Sequence, residues 1–245
     1  MAETFWPRFH KYGVLLCAAW LAACAAPAPP FKGKEVPQEG DRSSFSQLGK
    51  TDIDRMADVE MRENTQSLQL LMTKLYKRNP RELKKSTSGT VEEMVGWVFE
   101  GDHGWKFKRI NEVQDTEALY LSFSPDYEGD RVLPFIVGLY TMMLKAHGGK
   151  TEFFLMDSID PQSVYNAARN VEIADWKLTN ARDDKGQLYL LTNELSETER
   201  NLSFEREFGK IVGRMDVFAM TLAEKKQRFI TRATHNVATA LFLPF

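Results

Sequence analysis

Arg131-Val132-Leu133-Pro134-Phe135-Ile136-Val137-Gly138-Leu139-Tyr140-Thr141-Met142-Met143-Leu144-Lys145 decides the fold class of this chain. Thirteen residues stand between its two charges. Among them Val132, Leu133, Phe135, Ile136, Val137, Leu139, Tyr140, Met142, Met143 and Leu144 leave a helix over 131–146 almost no polar face. A helix that is apolar all round is either a membrane span or the centre of a core. Crossing a bilayer takes roughly 20 apolar residues, and this run is too short, so it is predicted to be a central core helix. Gly148-Gly149 closes it, since glycine accepts the left-handed backbone that ends helices. Ahead of it Asp126, Glu128 and Asp130 alternate as in a calcium loop. Arg131 stands where that loop needs glycine, and Val137 where it needs its last carboxylate. The acids are expected instead at the positive amino-terminal end of the helix.

Outward from this stretch the pattern stays helical. Thr51 can cap a helix over 52–79, in which Leu68, Leu71, Met72, Leu75 and Tyr76 recur on one face, and Asn79-Pro80 stops it. The ending Leu75-Tyr76-Lys77-Arg78-Asn79-Pro80 is reminiscent of a tetratricopeptide junction, but no second copy follows about 34 residues on. Thr90-Val91-Glu92-Glu93 has the form of a capping box opening a helix that ends near Gly101. A helix is expected over 152–159. Another starts at Asp160-Pro161, with aspartate as cap and proline in the first turn, and runs through Val164, Tyr165, Ala168, Val171, Ile173 and Trp176. Asp183-Asp184-Lys185-Gly186 signals a turn, and 188–191 fits a short strand or an extended loop.

The longest predicted helix covers 203–241. Phe204, Phe208, Ile211, Met215, Phe218 and Leu222 form a heptad-like seam that lapses at Lys225 and resumes with Phe229, Ala233 and Val237, which implies a bend or a change of packing partner. The expectation is therefore an all-α fold, a single irregular helical domain of about six helices over 51–245 with a long C-terminal helix. Gly209 and Gly213 form a Gly-x-x-x-Gly pair, expected to mark close helix contact within the chain rather than dimerisation. Lys225, Lys226, Arg228 and Arg232 make a basic patch, a solvated face in the plain reading and a contact for lipid phosphates in the other. The apolar stretch Leu241-Phe242-Leu243-Pro244-Phe245 is expected to dock on the core, with partner binding as the alternative.

Composition narrows the classes. The chain has 245 residues, enough for one large domain or two small ones. With 32 basic and 34 acidic side chains, a net of −2, it has no excess charge to attract nucleic acid. Its two cysteines are Cys17 and Cys24, so a domain from 51 onward has no disulfide and no thiolate chemistry.

The amino-terminal end carries a different signal. Arg8, His10 and Lys11 are followed by an apolar run over 14–21 and then by Leu21-Ala22-Ala23-Cys24. This stretch resembles the signal and lipobox of bacterial lipoproteins. The resemblance implies that residues 1–23 are a cleaved signal peptide, that Cys24 receives a covalent lipid on its sulfur, and that the lipid anchors the protein to a membrane. Ala25 and Ala26, in place of an aspartate after the cysteine, imply the outer membrane on its periplasmic face. Residues 24–50, with Pro27, Pro29, Pro30 and Pro37, form a flexible tether able to hold a domain up to about 75 Å from the surface.

No Gly-x-Ser-x-Gly elbow, His-Glu-x-x-His pair, phosphate loop or dinucleotide fingerprint is present. Asp102 and His103 lie in a turn between Trp97 and Phe107 and form the most enzyme-like pair, although adjacent side chains point apart. Neither a catalytic residue, a metal site nor a cofactor beyond the covalent lipid is expected. The leading reading is a lipid-anchored helical envelope protein that acts by binding, as scaffold or assembly factor, with an envelope protein as partner. The alternatives are a periplasmic carrier, with Met142, Met143, Phe153, Phe154 and Met156 lining an apolar pocket, and a carboxylate-dependent cell-wall enzyme. An exposed apolar patch would favour the scaffold, a cavity the carrier, and a convergent pair of buried acids the enzyme.

Overall fold

The computed structural model describes residues 50–154, 158–192, 194–195, 200–201, 203–226 and 242–244. Among these the fold is all-α, with seven α-helices: α1 (Asp52–Arg78), α2 (Pro80–Ser86), α3 (Val91–Glu100), α4 (Asp115–Ser122), α5 (Val132–Ala146), α6 (Pro161–Asn180) and α7 (Ser203–Lys225). A short 3-10 turn covers Lys108–Ile110. The only paired strands among the described residues are β1 (Glu194–Leu195) and β2 (Arg200–Asn201), antiparallel, with Glu194 opposite Asn201. Residues 1–49, which hold the expected signal, Cys24 and most of the expected tether, lie outside the described residues.

The helix starts follow from their caps. Thr51 Oγ1 accepts from Asp54 N while Asp54 Oδ2 accepts from Thr51 N at 2.7 Å, a closed capping box on α1. Thr90 and Glu93 repeat it on α3. Asp160 Oδ2 accepts from Ser163 N at 3.0 Å, with Pro161 opening α6. Of the acids before α5, Asp130 takes the predicted place at the positive end and accepts from Val132 N at 2.9 Å. It is buried, and its other oxygen accepts from Tyr76 Oη at 2.5 Å and Ser86 Oγ at 2.7 Å, tying α1 and α2 to the start of α5. Burial pushes the Asp130 carboxyl up from its ordinary value, partly offset by those donors.

α5 is the centre. Val132, Leu133, Phe135, Ile136, Val137, Leu139, Met142 and Met143 have no exposed surface, and Gly148 and Gly149 end the helix at φ 78° and 76°. Each such side chain stabilises the fold by about 1.5–3 kcal/mol relative to exposure. α4 lies against α5 where Gly138 sits: a Cβ there would be 2.7 Å from Leu119 Cγ and 2.8 Å from the carbonyl oxygen of Asp115. α1 packs on α5 and α7, and α6 on α7. The seam Phe204, Phe208, Ile211, Met215, Phe218 and Leu222 is buried as predicted, and so is the α1 face from Leu68 to Tyr76.

Two expectations are corrected, and a third, the length of the C-terminal helix, extends beyond the described residues. No helix forms over the described parts of 152–159: Phe153 is buried and its N–H donates to Asp58 Oδ1 at 3.0 Å, so tertiary attachment to α1 fixes this backbone in place of helical bonds. α4 was absent from the sequence prediction because its buried positions, Ala118, Leu119 and Ser122, are mostly small and carry no apolar stripe. The longest described helix is α1, with 27 residues, whereas α7 is described to Lys225, where its seam lapses. The predicted continuation over 227–241, with Arg228 and Arg232, lies outside the described residues. The stretch 188–191 is an extended loop joined to Arg182 by a single bridge at Leu188.

Candidate functional site: a glycine-lined groove between two helices

α7 is one-sided. Its seam faces α1 and α6, which leaves Gly209, Gly213, Val217 and Met220 along the outer face at spacings of four, four and three. Val217 and Met220 are 52% and 53% exposed, and Val59 of α1 is 44% exposed. Among the described residues, nothing lies within 4 Å of where a Cβ of Gly209 or Gly213 would sit. Among the described residues, then, the expected close contact of this glycine pair is not made. The seam turns the two glycines outward, and α1 stands too far off to cover them.

The missing side chains open a groove of about 450 Å³ between α1 and α7. Met56, Val59 and Val217 line its walls and Lys210 and Arg214 its rim. The rim charges are already engaged. Lys210 Nζ lies 2.8 Å from Glu207 Oε1, and Arg214 Nη1 donates to Asn64 Oδ1 at 3.2 Å and Ser67 Oγ at 3.1 Å, with Nη2 3.8 Å from Glu63 Oε2. What the groove offers a visitor is apolar surface and accessible backbone rather than free charge.

Glu60 also lines the groove, and below it stands the most unusual electrostatic feature of the described chain. Glu60 Oε2 lies 2.6 Å from His147 Nε2, and both residues are almost wholly buried. Glu60 Oε1 accepts from Asn64 Nδ2, and His147 Nδ1 lies 2.8 Å from the Met143 carbonyl oxygen. The imidazole stacks on Phe218 of α7, with ring centres 5.5 Å apart and planes 1° from parallel. Burial opposes the imidazolium, but the charge and hydrogen bond of Glu60 and the Met143 carbonyl outweigh it and hold the pKa of His147 above its ordinary value. The pair joins α1 to the end of α5 beneath α7. It was missed in the sequence. The available signal was Glu60 on the buried stripe of α1, between Ala57 and Asn64, where an unpaired charge would be untenable.

The residues singled out from sequence fall elsewhere. His103 Nε2 is 2.9 Å from the Trp97 carbonyl oxygen and its ring packs on Trp97 and Phe107, while Asp102 is exposed. Met142, Met143 and Phe153 are core, Phe154 is exposed beneath Lys50, and Met156 lies outside the described residues. Lys226 bonds Ser158 and the Ile159 carbonyl. A pair of acids does come together where sequence showed nothing. Burial and the charge of Glu205 on α7 push Asp175 of α6 up to about 7, and Asp175 Oδ1 is buried with no hydrogen-bond partner among the described residues.

No helix among the described residues is long and apolar enough to cross a membrane. Compared with protein-family models, with curated proteins and with solved structures, the chain matches none.

Proposed function

We propose that this protein is a lipid-anchored scaffold or assembly factor of the bacterial outer membrane, held by Cys24 and its tether and engaging one helix of an envelope partner in the α1/α7 groove. The observation that carries the reading is the open glycine pair. A helical glycine costs about 0.5–1 kcal/mol relative to alanine, and Gly209 and Gly213 return no contact among the described residues. Their use is to let another backbone approach, as small residues four apart do between helices. Because the rim cations are engaged by Glu207, Glu63, Asn64 and Ser67, the fitting partner surface is an apolar stripe rather than an acidic one. The Leu-Ala-Ala-Cys stretch supports the anchor and Ala25 the outer membrane.

The test places a photo-crosslinking residue at Val217 of the anchored chain in intact cells, with Gly213→Leu and Cys24→Ala as companions. A defined adduct is expected that disappears with Gly213→Leu at undiminished melting temperature and weakens with Cys24→Ala. An adduct indifferent to Gly213→Leu would remove the groove from the proposal, and an envelope-bound Cys24→Ala protein would remove the lipid anchor. Asp175 favours a second reading, a carboxylate-dependent cell-wall enzyme, because a carboxyl near pH 7 can serve as a general acid. Release of peptidoglycan fragments by the purified chain, lost in Asp175→Asn, would establish it.

A further inference from the structure

Residues 242–244 lie on α6, and the hydrogen bonds that hold them run through their main chain, while the Phe242 side chain packs against the edge of the core. Asn170 Oδ1 accepts from Leu243 N at 2.6 Å and Asn170 Nδ2 donates to Leu243 O at 2.8 Å, so one side-chain amide reads both main-chain groups of one residue. Asn166 Nδ2 donates to Pro244 O at 2.7 Å, and Tyr120 Oη accepts from Phe242 N at 3.3 Å. One side chain is also recognised: the Phe242 ring meets Tyr120 edge-on at 5.0 Å, with Lys177 Nζ 5.8 Å from its centre.

The chain contains a second clamp of this kind. Asn79 donates to Leu191 O and accepts from Leu191 N, at 2.9 and 2.8 Å. There the clamped stretch is also anchored by Leu190, which has no exposed surface. Around Asn170 no described residue of the clamped stretch is so deeply anchored: Phe242 packs against the edge of the core but, like Leu243, is only half-buried, and Pro244 is exposed. Asn170 is fully buried beneath residues 242–244, so their release would uncover a donor and an acceptor on one side chain. The edge of an extended peptide, which offers an N–H and a C=O side by side, satisfies both at once, as Leu243 does.

We infer that Asn170, Asn166 and Tyr120 form a peptide-binding site that reads main chain, tolerant of sequence except for an aromatic residue over Tyr120, and that residues 242–244 are its exchangeable resident. The site lies on α4 and α6, apart from the α1/α7 groove, so it stands or falls independently of the function proposed above. The ligand class is an extended peptide of the form Phe-Leu-Pro.

The test uses the full chain carrying Phe242→Ala and Leu243→Pro, which removes the aromatic contact and the N–H that Asn170 accepts. A fluorescent Leu-Phe-Leu-Pro-Phe peptide is then titrated against this variant and the unmodified chain, with folding followed by circular dichroism. The released variant should stay folded and bind the peptide at least tenfold more tightly than the unmodified chain does. Adding Asn170→Ala should abolish that binding, and Asn170→Asp, which keeps the acceptor and loses the donor, should weaken it. A folded released variant that ignores the peptide, or binding indifferent to Asn170→Ala, overturns the inference. So does loss of folding on release, since the segment would then belong to the core.

Discussion

Gly138 and Gly213 are both helical glycines and are used in opposite ways. At Gly138 a Cβ would strike Leu119 and the backbone of α4, so the absent side chain lets two helices meet. At Gly213 the same absence meets nothing among the described residues. Residue type does not distinguish them; the helix does. α5 is apolar all round, so every face is covered and a glycine there becomes a close approach. α7 is apolar on one side, and its glycines fall on the other. A glycine whose conformational cost is offset by packing belongs to the fold, whereas one whose cost nothing inside the described chain offsets leaves a backbone open, which is the feature the proposed partner would use.

The floor of the groove should give the largest effect when broken. Glu60→Ala leaves His147 buried without its counter-charge and should destabilise the fold by about 3–5 kcal/mol, measured by urea unfolding at pH 6. Because the folded state raises the His147 pKa, it holds the proton more tightly than the unfolded chain, whose value is near 6.5. The pair's stabilisation is therefore complete below about pH 6.5 and is lost as pH rises through the folded pKa. In Glu60→Gln that decline should flatten; an unchanged slope would show that the pair is not what titrates.

Gly138→Ala should cost about 1–3 kcal/mol by overpacking against α4. A neutral result would mean that α4 can move away and that the first half of the comparison fails. Asp175→Asn should act with pH. The carboxyl is held neutral up to about 7 in the fold but ionises from about 3.8 in the unfolded chain, so native stability falls across that interval. The variant should match the native chain at pH 4 and melt higher at pH 8. Equal melting at both would place Asp175 in water.

The smallest effect sharpens the comparison most. Gly213→Ala should stabilise by about 0.5–1 kcal/mol through helix propensity alone, opposite in sign to Gly138→Ala. Gly213→Leu should stabilise by a slightly smaller amount, since leucine is nearly as good a helix former as alanine, while closing the groove. Destabilisation by either would show the glycine face to be covered.

Much of the fold was legible because it is local. Thr51, Thr90 and Asp160 announce their helices through bonds spanning three residues, and the α7 seam is buried at every predicted position from Phe204 to Leu222. α4 was not legible, since small residues bury well without a hydrophobic period, nor was the extended backbone at Phe153, fixed by Asp58 on another helix. Of the candidate site, Gly209 and Gly213 were visible, but the close contact expected of them is not made among the described residues, and Glu60 and His147 were not visible as a pair.

The sequence by itself determined that this chain is helical, where most helices start, and which of their faces are apolar, because caps and the 3.6-residue period are properties of short stretches. Tertiary structure alone decided which of those faces another helix covers, that Glu60 finds His147, and that Asn170 clasps a residue 73 positions away. Periodicity states what a face is made of; whether it meets protein or is left open depends on elements distant in sequence, whose approach no local pattern encodes.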